Sequence, residues 1–376
     1  MKLLTINAGS SSLRLAAFAH DGRLTRLGEQ HSSDNAVAGL NRIREFLRRH
    51  AVAEISCVAH RVVHGGSGLA TPCRIDARIE AEIERLAPLA PLHNPAALLW
   101  IRACRELFGD SIPQIAVFDT AFFADLPTVA RTYALPRTLA EKHGLRRYGF
   151  HGLAHEAMWR RWCALRPQVA NGERVISLQL GAGCSVTAVR DGTAVDTSMG
   201  FSPLEGLMMA TRSGDIDPGL LFYLQRVADM TPQQLEKLLN EQSGLLGVSG
   251  ISGDMRTLLA SPDPHARLAV DLYCYRARKY IGAYLTVLGG ADAILFGGGV
   301  GEHAPMVRTK ILEWLEWTGI ALDTSRNEAA VGNEARINDP SSKAEIWVVP
   351  VDEAAILAEA GLAVLNESAS FKEAKP

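Results

Sequence analysis

Short apolar runs alternate with polar, glycine-bearing turns along the chain, and run length separates predicted strands from predicted helices. Residues 3–7 and 13–19 are apolar runs joined by a small-residue loop at 8–12. Asp21-Gly22 signals a hairpin turn before a third extended run at 24–29. Helical spacing follows over 37–49 and ends in basic residues that suit a helix C-terminus. A buried strand is expected at 55–63, closed by Gly65-Gly66, with helices at 79–86 and 95–107. Residues 114–119, QIAVFD, form an apolar run that ends in a carboxylate. That is the pattern of a buried strand delivering Asp119 at its C-terminal end, where α/β sheets place ligands.

The second half repeats the opening. Residues 175–180 are apolar, 181–185 are a small-residue loop, and 186–189 are apolar again. Asp191-Gly192 is the turn, and a third strand starts over 193–196. Both loops carry Ala-Gly-x-Ser, at Ala8–Ser11 and Ala182–Ser185. A four-residue match is weak alone, but the same match inside strand, loop, strand, turn, strand points to a duplicated domain. Helices are expected at 219–227, 232–239, 265–288 and 305–317, strands at 291–296 and 345–349, and a last helix at 353–365 before a frayed tail. Strands and helices alternate, so the class is α/β.

Composition narrows the function. At roughly 150 residues per domain, 376 residues make two or three domains. The 39 basic and 41 acidic residues nearly cancel, which disfavours a general nucleic-acid surface. The longest uncharged stretch, residues 86–101, holds three prolines, a histidine and an asparagine, so a spanning helix is not expected there. The N-terminal apolar run is too short for a signal-peptide core. Six scattered cysteines without C-x-x-C read as reduced thiols, so the expected location is cytoplasmic, with neither disulfide framework nor zinc site.

Three glycine-rich turns each follow a predicted strand, at 7–12, 181–185 and 297–301. Such turns bring backbone N–H groups close to an anion. The third is followed by a predicted helix whose N-terminus suits a phosphate or ribose. None matches the P-loop or a confirmed dinucleotide fingerprint. Taken singly, each reads equally as a tight turn. Three together, two of them in duplicated hairpins, favour phosphate binding and a two-domain nucleotide clamp of the actin-like kind. Arg61 and Arg212 sit beside glycines at element ends, as does His151, and Arg suits phosphate because it stays charged and binds bidentately.

These residues resemble the acetate kinase family. Asn7-Ala-Gly-Ser-Ser-Ser12 with a basic residue at 14 is similar to its first signature, and Asp196–Pro218 matches over 23 consecutive positions. The segments 60–66, 90–95, 118–122, 147–152 and 250–256 fall in the family's order. The resemblance implies two duplicated actin-like (ribonuclease H-like) domains with a nucleotide cleft between them. Domain I would be 1–123 plus 354–376, and domain II 124–353. It further implies a homodimer that interconverts ATP and acetate with ADP and acetyl phosphate, using Mg²⁺ or Mn²⁺. Propionate as the preferred acid, or a sensor without catalysis, are the alternatives.

Carried over by motif, Arg61 holds the carboxylate or acyl phosphate, while Arg212 and His151 stabilise the transferring phosphoryl group. Asp119 completes the catalytic set. A carboxylate acceptor with pKa near about 4 needs no base at pH 7, so Asp119 reads as a metal holder or as the group that orients Arg61. Asn7 and Glu353 match the metal positions. Val63, Leu92, Phe150 and Pro203 match the acyl pocket. Nucleotide contacts are expected from Arg14, from Gln179, Leu180, Gly181, Ala182 and Gly183, from Asp254, Met255 and Arg256, and from Gly299, Val300, Gly301, Glu302 and His303. The chain departs from the family at Gln179, usually His, and Ala182, usually Asn, and also at Arg14, Phe123, Gly297, His303 and Glu359. The stretch between Gly22 and Arg61 is shorter than the family's.

Overall fold

β1 (Lys2–Ala8) is buried along nearly its whole length, which fits a central strand covered on both faces. The structure, a computed structural model, describes residues 1–9, 12–32, 39–91, 93–167 and 173–373. Two compact units emerge, Met1–Ala124 with Asp352–Pro376, and Asp125–Val351.

In the first unit, β2 (Leu13–His20) and β3 (Leu24–Ser32) continue β1 as an antiparallel meander. β3 has only exposed and half-buried residues, as an edge strand should. β4 (Cys57–Val62) and β6 (Gln114–Phe118) run parallel to β1, and short β5 (Cys73–Arg74) closes the other edge. The order is β3-β2-β1-β4-β6-β5. Helices Leu40–Arg49 and Asn94–Phe108 cover one face through Ile43, Phe46, Trp100 and Cys104. The last helix, Glu353–Glu373, packs on the other face, where Ala358 meets Ala16 and Phe18.

The second unit repeats this plan. β7 (Arg174–Leu180), β8 (Cys184–Arg190) and β9 (Thr193–Thr197) form the meander. β10 (Ala293–Gly297) and β12 (Glu345–Val348) are parallel to β7, and β11 (Ala335–Arg336) is the antiparallel edge. From its hairpin edge the order is β9-β8-β7-β10-β12-β11, the same path as in the first unit. The duplication read in the hairpins therefore extends to whole sheets, and the class is α/β.

Several elements differ from the sequence reading. The helix expected over 305–317 stops at Leu312, because Trp314 takes a left-handed φ of 65° and a 3₁₀ turn follows at Glu316–Thr318. The glycine turn after β10 is itself helical, over Gly298–His303. The last helix runs on to Glu373, since 366–373 holds neither Gly nor Pro to stop it. The first helix begins at Leu40, and residues 37–38 of its expected span lie outside the described residues.

Three histidines lie in the core: His60 and His64 in the first unit and His155 in the second. Burial pushes His60 and His64 down to about 4 and His155 to about 3, so all are neutral at pH 7. A folded-state value below the unfolded 6.5 means the unfolded chain binds more protons in that window. Stability is therefore full above pH 6.5 and falls as pH drops towards 4, by up to roughly 1.4 kcal/mol per pH unit for each histidine. Urea midpoints between pH 6.5 and 4.5 should show this slope, and His155→Gln should flatten it; an unchanged slope in the variant contradicts the assignment.

Candidate active site

Parallel strands end on one edge of a sheet, and β1, β4 and β6 bring three polar side chains to that edge. Asn7 lies near the end of β1, Arg61 near the end of β4, and Asp119 directly after β6. Register sets this: Ile6 faces His60 and Arg61 faces Val117. Arg61 Nε donates to Asp119 Oδ1 at 2.9 Å, and Nη2 donates to Asp119 Oδ2. Arg61 Nη1 donates to Asn7 Oδ1 at 3.0 Å, and Asn7 Nδ2 donates to Glu353 Oε2 at 2.6 Å. Glu353 opens the last helix, so that helix completes the chain Asp119–Arg61–Asn7–Glu353. Burial is the largest influence on Arg61 and pulls its pKa down, but Asp119, Glu353 and the hydrogen bonds outweigh it, so the net direction is up. Arg61 stays charged, with one N–H on each Nη beyond these bonds. Arg14 stands directly across β1–β2 from Asn7 and is exposed. Val63, just beyond β4, is buried. Leu92 lies outside the described residues, as do Ser10 and Ser11 of the first glycine turn.

The second unit gathers the phosphate-type groups. His151 caps helix Gly152–Leu165 in the left-handed region, φ 60° and ψ 28°, a backbone state uncommon outside glycine and typical of functional positions. Its Nδ1 lies 2.9 Å from Ser185 Oγ. The same hydroxyl lies 2.8 Å from His155 Nε2, and His155 Nδ1 lies 2.9 Å from Ser177 Oγ. A buried neutral imidazole thus orients the serine that orients His151. A Cβ added at Gly183 would stand 3.2 Å from His151 Nε2 and 3.7 Å from Arg212 Nη1. Imidazole, guanidinium and glycine backbone therefore converge at the β7–β8 turn.

The loop carrying Arg212 is braced from several sides. Arg212 Nη1 donates to Pro203 O at 3.2 Å. Arg147 Nη2 donates to Glu205 Oε1 at 2.6 Å, and Tyr133 OH also bonds Glu205. Asp215 Oδ1 accepts from Gly206 N at 2.8 Å and Oδ2 from Tyr280 OH at 2.7 Å. Asp217 caps helix Pro218–Val227. Phe150 is buried and Pro203 half-buried in this unit.

Apart from Arg14, the expected nucleotide residues occupy three neighbouring segments of the second unit. Gln179, next to last in β7, stands opposite Gly297 of β10, and among the described residues its buried Oε1 has no hydrogen-bond partner. Gly298 has φ +76°, and a Cβ there would come within 2.6 Å of Leu180 O. Only glycine allows that approach. Leu180 and Gly301 are buried, Gly299 and His303 exposed, Val300 intermediate. Gly181 N donates to Gly183 O, and Ala210 N to Ala182 O. A Cβ at Gly253 would lie 3.0 Å from Ala210 O, which puts the 253–256 segment beside that loop. Asp254 caps helix Met255–Ala260 and pairs with exposed Arg256, while the Met255 side chain is in the core. Glu302 turns its carboxylate inward, accepting from Gly298 N at 2.9 Å and Val351 N at 3.1 Å.

Sequence reasoning did not single out Ser185, Ser177, Glu205 or Tyr133. The signal available was adjacency: Ser185 closes the repeated Ala-Gly-x-Ser loop, and Arg147 opens the run that ends in His151. Among the described residues no group of three or more His, Cys, Asp or Glu is placed to hold a metal.

The model of the acetokinase family matches residues 19–359. The acetate kinase of Solibacter usitatus is 40% identical over 400 aligned residues, covering 95% of this chain and 97% of the relative. That of Chloroherpeton thalassium is 46% identical over 313, covering 82% and 75%. The crystal structure of Porphyromonas gingivalis acetate kinase superposes with a TM-score of 0.87 at 35% identity, covering 97% of this chain and 99% of that one. A Francisella tularensis propionate kinase gives 0.88 at 33%, covering 96% and 99%. The fold is thus the two-domain actin-like one of these kinases, and the chain belongs to the acetokinase family.

Proposed function

We propose that this enzyme is an acetate kinase, moving the γ-phosphoryl group of ATP reversibly to acetate to give acetyl phosphate and ADP. The observation that carries the reading is the chain Asp119–Arg61–Asn7–Glu353, which fixes one guanidinium and leaves two of its N–H groups for a carboxylate. In this reading Val63, Leu92, Phe150 and Pro203 receive the methyl group. An acetate oxygen attacks the γ-phosphorus, the bond to the β,γ-bridging oxygen breaks, and its electron pair leaves on ADP. No proton need move, because acetate is ionised at pH 7. Positioning and charge then carry catalysis, with Arg212, His151 and the Gly183 backbone on the transferring group.

Leu180–Gly183 offer backbone N–H groups to the phosphates, with Gln179 beside them as a donor, and Arg14 supplies a further cation to the nucleotide. The 254–256 segment lies towards adenosine, and Gly299–His303 take base and ribose, Glu302 through its backbone. Glu353 and Asn7 supply hard oxygens within one hydrogen bond of each other, a small set of the kind Mg²⁺ uses when phosphates and water complete its shell. Bound there, Mg²⁺ or Mn²⁺ would neutralise phosphate oxygens. A cytoplasmic location fits six cysteines that are all free.

Hydroxylamine trapping tests the activity. Acetyl hydroxamate should form from acetate only with both ATP and Mg²⁺, and acetate should exceed propionate in kcat/KM. Folded protein with no turnover on any short carboxylate would overturn the proposal. Asp119→Asn separates positioning from base catalysis. A drop in kcat of about 10²-fold or more is expected from an unanchored Arg61, with the pH–rate profile unchanged in shape. Loss of one limb of that profile would make Asp119 the base instead.

We also propose a homodimer. No residue of helix Pro218–Val227 is buried, and Leu220, Phe222, Tyr223 and Val227 are 47–61% exposed. Such a patch on a soluble surface marks a contact face, and a second copy is the occupant expected. Sedimentation should give twice 40.6 kDa, and Phe222→Glu should shift it to the monomer. A monomeric wild type rejects this.

A further inference from the structure

Arg308 is a fully buried arginine whose five described bonds all go to neutral oxygens. It sits on helix Pro305–Leu312 at 0% exposure. Nε donates to Asn327 Oδ1 at 2.7 Å. Nη1 donates to Gly301 O at 2.7 Å and Glu302 O at 3.2 Å. Nη2 donates to Asn327 O at 2.8 Å and Ala330 O at 2.6 Å. The guanidinium's five N–H groups are matched by five acceptors. Among the described residues no carboxylate pairs with it, and burial alone pulls its pKa down to about 10, so it remains charged at pH 7.

A buried charge without a counter-ion is costly, so the arrangement needs a reason. The acceptors supply one. Gly301 O and Glu302 O belong to the last turn of the six-residue helix Gly298–His303, whose final carbonyls have no donor within the helix. Asn327 O lies in the last turn of helix Thr324–Ala329 and Ala330 O on the residue that caps it, so the same guanidinium ties down that helix end as well. The first of these helices contains Gly298, Gly299 and Gly301, each worth about 1 kcal/mol against helix formation relative to alanine. Six residues with three glycines do not hold helical geometry unaided. The glycines give close access to the backbone, and Arg308 restores the rigidity they remove.

We propose that Arg308 is a positioning residue for nucleotide recognition, holding the Gly298–His303 backbone in the form that receives the base and ribose. The inference rests on the reading of Gly299–His303 as nucleotide contacts. It assigns to Arg308 an effect on ATP that is separate from its effect on fold stability.

The test is Arg308→Lys, which keeps charge but can make at most three of the five bonds. KM for ATP should rise about tenfold or more, while KM for acetate stays within about twofold. Hydrogen exchange of 298–303 should slow on adding ADP to the wild type, and the slowing should be lost in the variant. Should Arg308→Lys fail to fold, Asn327→Ala removes the Nε side-chain acceptor, together with the Asn327 Nδ2 bonds to Pro305 O and Thr309 Oγ1, and should raise KM for ATP about threefold or more. ADP protection in the wild type together with an unchanged KM for ATP in the folded variant overturns the proposal alone. No ADP protection of 298–303 in the wild type overturns the nucleotide reading, and this proposal with it.

Discussion

The Arg61–Asp119 ion pair is the interaction on which the first unit's chemistry depends. Asp119 has no exposed surface, and the Arg61 side chain is 12% exposed. Taking both charges out of water costs much of what their attraction returns, so such a pair is weak evidence of stability. Its value lies in direction. Bonds donated to Asp119 from Nε and Nη2 fix the guanidinium plane, Asn7 fixes its other end, and Glu353 fixes Asn7. A carboxylate substrate then meets a preorganised donor pair rather than a mobile arginine.

The second unit reaches order by a different route. Its groups converge through backbone geometry that only certain residues tolerate. Gly183 leaves room for His151 and Arg212, and Gly298 lies against Leu180. His151 holds a left-handed backbone while a serine shared with neutral His155 holds its ring. The two sheets follow one path, yet one presents side chains at its parallel strand ends and the other presents mainly backbone. Duplication supplied the frame, and divergence of the residues after each strand supplied the division of labour.

Much of this was legible in local pattern. The apolar runs ending in Asn7 and Asp119 place those residues at strand ends, and the expected strand 55–63 carries Arg61 near its end, because a buried strand's length can be read directly. The paired hairpins are legible because the same residue types recur at the same spacing. Glu302 was not legible as a brace on Gly298 and Val351, nor Met255 as core, since both stand in runs that read as ligand contacts. Trp314's left-handed backbone and the helix over 298–303 also escaped, because tertiary contacts override propensity there.

The sequence by itself determined the α/β class, the repeat, and the residue types available for phosphate and carboxylate, because these depend on periodicity and on chemistry carried by single residues. Tertiary structure alone decided which groups touch. The Arg61–Asn7–Glu353 chain joins positions up to 346 residues apart, and the cradle under Arg308 draws on two separate segments. A side chain's direction is set by the partner that satisfies it, and that partner exists only once the sheet register and the helix packing have formed.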